Sequence, residues 1–409
     1  MKIERLQVRL NFGTRKVAVG ELVQAGRGIY LKFYPEFLDT DLELSPIKLK
    51  QQEGIQSGDA RLFEGLFGVF HDSLPDGWGR LLLDRHLSAI GQNPFDLGPL
   101  ERLAFVGDQG LGALEYAPPL VAGKRSSEAL ELDTIAAEMV ELQAGNSIEL
   151  LDELYRLGGS SGGARPKIHV GYHPEREHLI YGPNPLPEGY EPWIIKFPSA
   201  TDRADIAHIE YAYSLMARDV GLPMAECRLF EGQSGTCYFG TRRFDRQGQQ
   251  RLHLHSASGL LHDDFRYSQL DYGHLMDAAF RLERDVRAYE GVLRLAAFNV
   301  FAHNRDDHSK NFSFLMDALG NWRMAPAYDL TFSSSGFGMH STKVAGESRN
   351  PGRAHLLELA QVFGLKRPER ILDEVQTGLE GWNNYAVVAG VGKEFKQLIA
   401  RTIQQLSGR

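Results

Sequence analysis

Cysteine is nearly absent, with Cys227 and Cys237 the only two in 409 residues. Such a pair is too small for a disulfide framework or a cysteine-rich metal site, and a reducing cytoplasm is the expected compartment. Long apolar runs are missing too, since none approaches the roughly 20 residues that a membrane-spanning helix requires. The opening Met1-Lys2-Ile3-Glu4-Arg5 has none of the apolar core of a signal peptide. Positive charge is not in excess either. Lys and Arg number 45 against 53 Asp and Glu, a net charge of −8. That balance argues against a wide nucleic-acid surface, because neutralising phosphates takes clustered cations. Repeats and low-complexity segments are also lacking. What remains is 43% hydrophobic and 24% charged, ordinary for folded domains, and the length allows two or three of them.

The first stretch is β-rich. Leu6 to Leu10 alternates apolar and polar residues, Val17 to Ala25 is a second candidate strand, and Gly28 to Phe33 a third. A turn is expected at Pro75 to Trp78, then helical spacing from Arg80 to Leu87. The segment Asp72 to Gly79 reads as a functional surface or as a structural turn. The polar stretch Pro118 to Ser127 marks a boundary. A helix is expected over Ile148–Leu157, with Ser147 as its cap and Gly158 as its stop. After it come a Gly/Ser run, an extended Ile168-His169-Val170, and a strong strand at Trp193 to Phe197. Ile206 to Val220 is an amphipathic helix closed by Gly221 and Pro223, and strands are expected at Cys227 to Phe230 and Thr236 to Phe244. From about Leu260 helices dominate: Val286 to His303, Ala354 to Phe363, Glu369 to Thr377 and Glu394 to Leu406. One hairpin interrupts them, Phe312 to Met316 and Trp322 to Met324 around Ala318-Leu319-Gly320-Asn321. The predicted class is α+β, a two-lobed protein-kinase-like fold with a β-rich N-terminal subdomain (1–120), the remainder of the N-lobe (121–245) and a helical C-terminal lobe (246–409).

The most informative stretch is Asn304-Arg305-Asp306-Asp307-His308-Ser309-Lys310-Asn311. Phosphoryl transfer needs a carboxylate to orient the attacking hydroxyl and oxygen ligands for Mg²⁺. In kinase catalytic loops the Asp and the metal-binding Asn stand five positions apart. Asp306 and Asn311 have that spacing, and Asp329 follows the hairpin as a second acid. Asp307 competes for the base role, and spacing alone selects Asp306. The bland reading, a polar turn and a helix cap, loses ground because Asp, Asn, hairpin and Asp come in order.

Upstream, Gly158 to Lys167 is a glycine-rich run in which Gly162, Gly163, Ala164 and Lys167 are candidate nucleotide contacts. It is not a Walker A loop, since no Ser or Thr follows Lys167 and a strand comes next. A flexible linker is the alternative. On the Trp193–Phe197 strand, Lys196 points away from the apolar face and needs a charged partner. Nucleotide phosphates would serve, with Glu210 as the protein-side partner. An edge-strand lysine facing water is the rival.

Ser160 to Lys167, Trp193 to Phe197, Arg243-Phe244-Asp245-Arg246, Asp306 to Phe314 and Pro326 to Leu330 resemble, in order, the motifs of HipA-type toxin kinases. Leu74-Pro75-Asp76 resembles a stretch of that family's N-terminal subdomain. The resemblance implies a serine/threonine-protein kinase using ATP and Mg²⁺, with Asp306 as base, Asn311 and Asp329 as metal ligands and Lys196 on phosphate. It makes Arg243, Phe244 and Asp245 the segment between lobes, backbone groups reading adenine and Asp245 a ribose contact. His308 and Lys310 of the catalytic segment join the nucleotide contacts, and His308 braces the loop. It implies autophosphorylation of the Gly-rich loop at Ser160, with Ser161 as the alternative, because Arg165-Pro166 departs from the family pattern. It implies further a protein substrate such as an aminoacyl-tRNA synthetase, and a HipB-type helix-turn-helix antitoxin carrying the kinase to operator DNA. A small-molecule or lipid-type phosphotransferase, and a non-catalytic kinase-fold module, are the other classes. The pairs His303/His308 and His253/His255 lack a third metal ligand at sensible spacing. Gly107 to Gly112 reads as a turn, and Lys124-Arg125 and Arg242-Arg243 are too short to argue for nucleic acid.

Overall fold

The computed structural model describes residues 2–120, 128–129, 131–146, 149–159, 162–181, 186–199, 202–334 and 338–407. The chain forms two compact units. The first comprises Met1–Ala204, Arg228–Leu254 and Met316–Gly320, and the second Asp205–Cys227, His255–Leu315 and Asn321–Arg409. Among the described residues, no helix is long and apolar enough to cross a membrane.

Among the described residues the first unit carries two large sheets and a two-stranded pair, Arg246–Gln247 with Gln250–Arg251. Strands β1 (Arg5–Asn11), β2 (Lys16–Ala25), β3 (Gly28–Phe33), β4 (Ile55–Ser57) and β5 (Leu114–Ala117) form one, in the order β4-β3-β2-β1-β5. The alternation at the start of the chain does what it should: Leu6, Val8 and Leu10 are buried while Arg5, Gln7 and Arg9 face out. Leu6 pairs with Leu22 and Leu10 with Val17 across β1 and β2. The second sheet holds β6 (Glu128–Ala129), β7 (Lys167–His173), β8 (His178–Tyr181), β9 (Glu191–Lys196), β10 (Cys227–Glu231) and β11 (Cys237–Arg242), in the order β10-β11-β9-β7-β8-β6.

Helix Gly77–Ala89 buries Trp78, Leu82, Leu83 and Leu87, spaced to share one face, against Ile168, Val170, Trp193, Ile195 and Phe197 of the second sheet. Helix Leu132–Ala144 adds Ile135, Met139 and Leu142 to that core, and helix Leu151–Gly158 adds Leu154, Tyr155 and Leu157. The last of these begins at Leu151, later than the spacing had suggested, with Leu150 at the cap position. The expected cap Ser147 and the first expected helical residue Ile148 lie outside the described residues.

The second unit is mainly helical. Helix Arg287–Phe301 runs through its core, with Val292, Leu293, Ala296, Ala297, Phe298 and Phe301 fully buried. Helix Ile206–Asp219 packs on it through Tyr213, whose ring meets Phe298 and Trp382 edge-on and whose hydroxyl donates to Ala302 O at 2.6 Å. That helix stops where Gly221 takes φ +80, with Leu222 N–H closing back on Ala217 O at 2.9 Å. Helices Arg353–Val362, Pro368–Glu380 and Lys393–Ser407 fall close to their expected places. Helices Tyr272–Glu283 and Trp382–Val388 were not expected. The hairpin Ser313–Met316 and Trp322–Met324 forms as read from the sequence.

Candidate active site

The sequence-derived candidates divide between the units. In the first unit, β9 is flanked by β7 and β11, so Lys196 stands on a central strand and not on an edge. It is 9% exposed, on the face opposite Trp193 and Ile195. Its register partner on β7 is Lys167, and on β11 Phe239, whose ring centroid lies 5.3 Å from the ammonium. Two lysines directly opposite on paired strands repel, and a buried ammonium needs compensation. The fold therefore concentrates positive charge on this face of the sheet.

The glycine-rich segment leads straight into β7, which begins at Lys167. Phe197 N–H donates to Pro166 O at 2.9 Å, and the Lys167 ammonium sits 2.8 Å from where a side chain on Gly163 would begin. Gly163 takes φ +85, a region that glycine enters without strain. Its N–H bonds to an Asp76 carboxylate oxygen, and its carbonyl accepts from Trp78 N–H at 2.9 Å. The stretch Asp72 to Gly79 is thus joined to the loop, a link no sequence spacing could show across 87 positions. Ser160 and Ser161, the autophosphorylation candidates, lie outside the described residues.

Asp245, read as a ribose contact, is 3% exposed and engaged. Arg243 meets it with Nε and Nη2 at 2.9 and 2.7 Å, Arg246 Nη1 at 2.6 Å, and Gly112 N–H at 2.7 Å. Burial alone would raise its pKa, but the guanidinium groups of Arg243 and Arg246 outweigh it and hold the carboxyl well below the usual range. Arg251 and Glu115 pair at 2.9 Å beside it, and both Arg246 and Arg251 bond to Gly112 O. The geometry makes Asp245 the centre of a buried ionic knot, with Oδ2 taking three of these bonds and Oδ1 one. Phe244, between Arg243 and Asp245, is half-buried.

In the second unit, Asp306 and Asp307 differ sharply. Asp307 is 1% exposed, and its oxygens accept from Tyr272 OH at 3.0 Å, His340 Nδ1 at 3.0 Å, Ser341 N–H at 2.8 Å and Thr342 N–H at 3.3 Å. Asn299 Nδ2 donates to the same Tyr272 hydroxyl at 2.8 Å, extending the network into the long helix. Burial and then Asp307 push the Tyr272 phenol well above its ordinary pKa, so it stays a donor. Asp306, by contrast, is exposed, with His308 Nε2 3.8 Å from its Oδ1. Asn311 Nδ2 donates to the Asp306 carbonyl at 2.7 Å, which fixes the orientation of the amide.

Asp329 is delivered to the same unit by the segment after the hairpin. Tyr328 OH bonds to Lys310 O at 2.7 Å and Ser313 Oγ at 2.6 Å, tying that segment to the stretch that carries Asp306 and Asn311. Further along, Arg305 N–H donates to Ser333 O at 3.2 Å and Ser333 N–H to His303 O at 3.0 Å. Asp329 itself takes φ +55, a conformation that costs a non-glycine residue on the order of 1 kcal/mol and that the surrounding bonds must enforce. The Phe265 ring lies against His308, 5.4 Å between centroids, and under the Lys310 ammonium at 4.9 Å. Sequence spacing did not single out Phe265. Glu210 belongs to this unit, buried on helix Ile206–Asp219 at 3% exposure. His253 and His255 are both buried, and the His253 ring bonds to Leu44 O at 3.0 Å.

The donor set suits the groups expected of it. The Asp329 carboxylate and the Asn311 amide oxygen are hard donors of the kind Mg²⁺ prefers, and paired lysines beside a glycine-rich segment suit polyphosphate. A β-rich N-terminal region and a mainly helical C-terminal region make this an α+β protein of kinase-like fold. A model of the HipA-like C-terminal domain matches residues 159–382, and one of the HipA N-terminal domain matches residues 10–117. The first covers more than half of the chain, which belongs to the HipA family. It is 27% identical over 416 positions to the candidate kinase Y4mE of Sinorhizobium fredii, covering 91% of this chain and 84% of that one. HipA of Shewanella oneidensis MR-1, solved with HipB and operator DNA, matches with a TM-score of 0.69 at 17% identity, over 98% of this chain and 96% of its own. That likeness concerns the fold.

Proposed function

We propose that this protein is a Mg²⁺–ATP-dependent serine/threonine-protein kinase. The observation that carries the reading is the contrast within Asp306-Asp307: the second carboxylate is locked into the structure, leaving the first exposed beside an oriented Asn311. Asp306 would orient the attacking hydroxyl and take its proton. Asn311 and Asp329 would hold the metal, and Lys196 and Lys167 the phosphates, with the Gly162–Ala164 backbone alongside. Magnesium bound there would neutralise charge developing on the transferred phosphoryl group. His308 and Lys310, stacked about Phe265, would keep the catalytic loop in place near the nucleotide. Catalysis would rest mainly on positioning and electrostatics.

Family membership and the Shewanella likeness support a toxin role for this kinase. The substrate would be a protein of the translation machinery, such as an aminoacyl-tRNA synthetase. A HipB-type helix-turn-helix antitoxin would bind the chain and bring it to operator DNA. Ser160, with Ser161 as the alternative, would be the target of self-phosphorylation.

Intact-mass spectrometry before and after Mg²⁺–ATP tests the core of this. Dephosphorylated wild type should gain one phosphate on the peptide bearing Ser160 and Ser161, while Asp306→Asn and Asp329→Asn gain none. Steady-state transfer to any protein substrate should fall at least about 100-fold in Asp306→Asn. An unchanged wild-type mass would remove self-phosphorylation. Failure to bind Mg²⁺–ATP would remove the kinase reading itself.

A further inference from the structure

Asp76 occupies the cap position of helix Gly77–Ala89 with extended backbone, φ −126 and ψ 171, yet makes no side-chain cap bond to that helix. Aspartate is favoured at such positions because its oxygen satisfies the helix's own first N–H groups. Here Oδ1 reaches across to Gly163 N–H instead. In return Trp78 N–H donates to Gly163 O at 2.9 Å, so residues 76 and 78 take both backbone polar groups of Gly163. The Trp78 indole, 1% exposed, donates from Nε1 to Lys167 O at 3.2 Å and stands 3.0 Å from where a side chain on Gly158 would begin. One short segment from the N-terminal part of the chain therefore holds the glycine-rich loop by bonds at Gly163 and at Lys167. Gly77 makes the approach possible: it takes φ +44, and a Cβ on it would fall 2.4 Å from Gly163 O.

We propose that Asp76, Gly77 and Trp78 form a clasp that sets the path of the glycine-rich loop, with Asp76 as a positioning residue for nucleotide binding. The proposal rests on the kinase reading above. A glycine-rich loop left to itself surrenders much conformational freedom when it closes on phosphates. Anchored at Gly163 and Lys167, it meets the nucleotide with part of that ordering done. A charge-assisted bond is roughly twice as strong as a neutral one, which suits a single contact holding a loop. Gly163 N–H, committed to the carboxylate, then serves as an anchor, and phosphate would be met by the other loop amides and by Lys167 and Lys196.

The test compares wild type with Asp76→Ala and Asp76→Asn in two arms. Amide hydrogen exchange over residues 162–167, without nucleotide, reads the clasp directly. Calorimetric titration with Mg²⁺–ATP reads its effect on binding. Asp76→Ala should speed exchange in that peptide and weaken ATP affinity about tenfold, with kcat at saturating ATP nearly unchanged. Asp76→Asn keeps shape and an acceptor oxygen, so it should lose about threefold, and it decides the matter if the alanine variant fails to fold. Unaltered exchange overturns the clasp. Faster exchange with unaltered affinity overturns its positioning role, and so does tighter binding, which would make the carboxylate a competitor of phosphate. If wild type itself fails to bind Mg²⁺–ATP, the kinase reading falls, while the exchange arm still decides the clasp.

Discussion

Two adjacent aspartates illustrate how far a residue's role depends on what surrounds it. In the sequence Asp306 and Asp307 differ only by one step of spacing. In the fold Asp307 gathers a phenol, an imidazole and two backbone amides, whereas Asp306 touches solvent. Asp307→Ala would strand buried donors and should cost about 3–5 kcal/mol, visible as a large drop in thermal midpoint. Asp306→Ala removes an exposed carboxylate and should shift stability by only about 0.5 kcal/mol. Equal destabilisation by the two would contradict the division of labour. Lys196 shows the converse. Its direction was legible from alternation, but its place on a central strand was not, because strand order is settled by pairings far apart in the chain.

At the scale of elements, the strands and long helices were readable because their patterns are local. Gly28–Phe33 forms as expected, and Arg287–Phe301 lies within the expected span. The omissions have physical reasons. Helix Tyr272–Glu283 opens on a capping box in which His274, not Glu or Gln, reaches back to the Asp271 N–H, so the usual signature is absent. Helix Trp382–Val388 is short and follows directly on another at Gly381. The role of Gly77–Ala89 was hidden for a different reason. Its apolar face could be counted, but not the sheet that it covers. Gly77→Ala tests that packing: the added methyl would meet Gly163 O, so the helix start and the glycine-rich loop cannot both stay in place. A loss of about 1–3 kcal/mol is expected, read by denaturant unfolding, together with faster proteolysis within residues 158–167.

For the molecule as a whole, acidity should be the weakness. His303 is pushed down to about 4, chiefly by burial and then by Arg305 and His340. In the unfolded chain a histidine binds its proton near about 6.5. Between those values the unfolded state holds more protons, so this contribution is complete above about 6.5 and is lost as the pH falls towards 4. Asp245 adds a second loss lower down: its contribution is whole above the ordinary carboxylate pKa of about 3.9 and fades as the pH drops below it. The thermal midpoint should therefore fall from pH 7 to 5 and collapse below 4. His303→Gln should flatten the upper part of that profile, and an unchanged slope would exclude His303 as its source.

The chain passes between the two units repeatedly, leaving the first at Ala204, rejoining it over Arg228–Leu254, and contributing Met316–Gly320 to it last. That winding has a consequence for synthesis. The strands from Cys227 to Arg242 lie at and beside the edge of the six-stranded sheet, so a ribosome that has made only the first 200 residues has not yet made a complete first unit. Its final piece emerges only at residue 320 of 409. Folding in order of emergence, the rule for domains strung end to end, is closed to this chain. Truncated translation products should be recognised by proteases as unfinished rather than survive as half-enzymes.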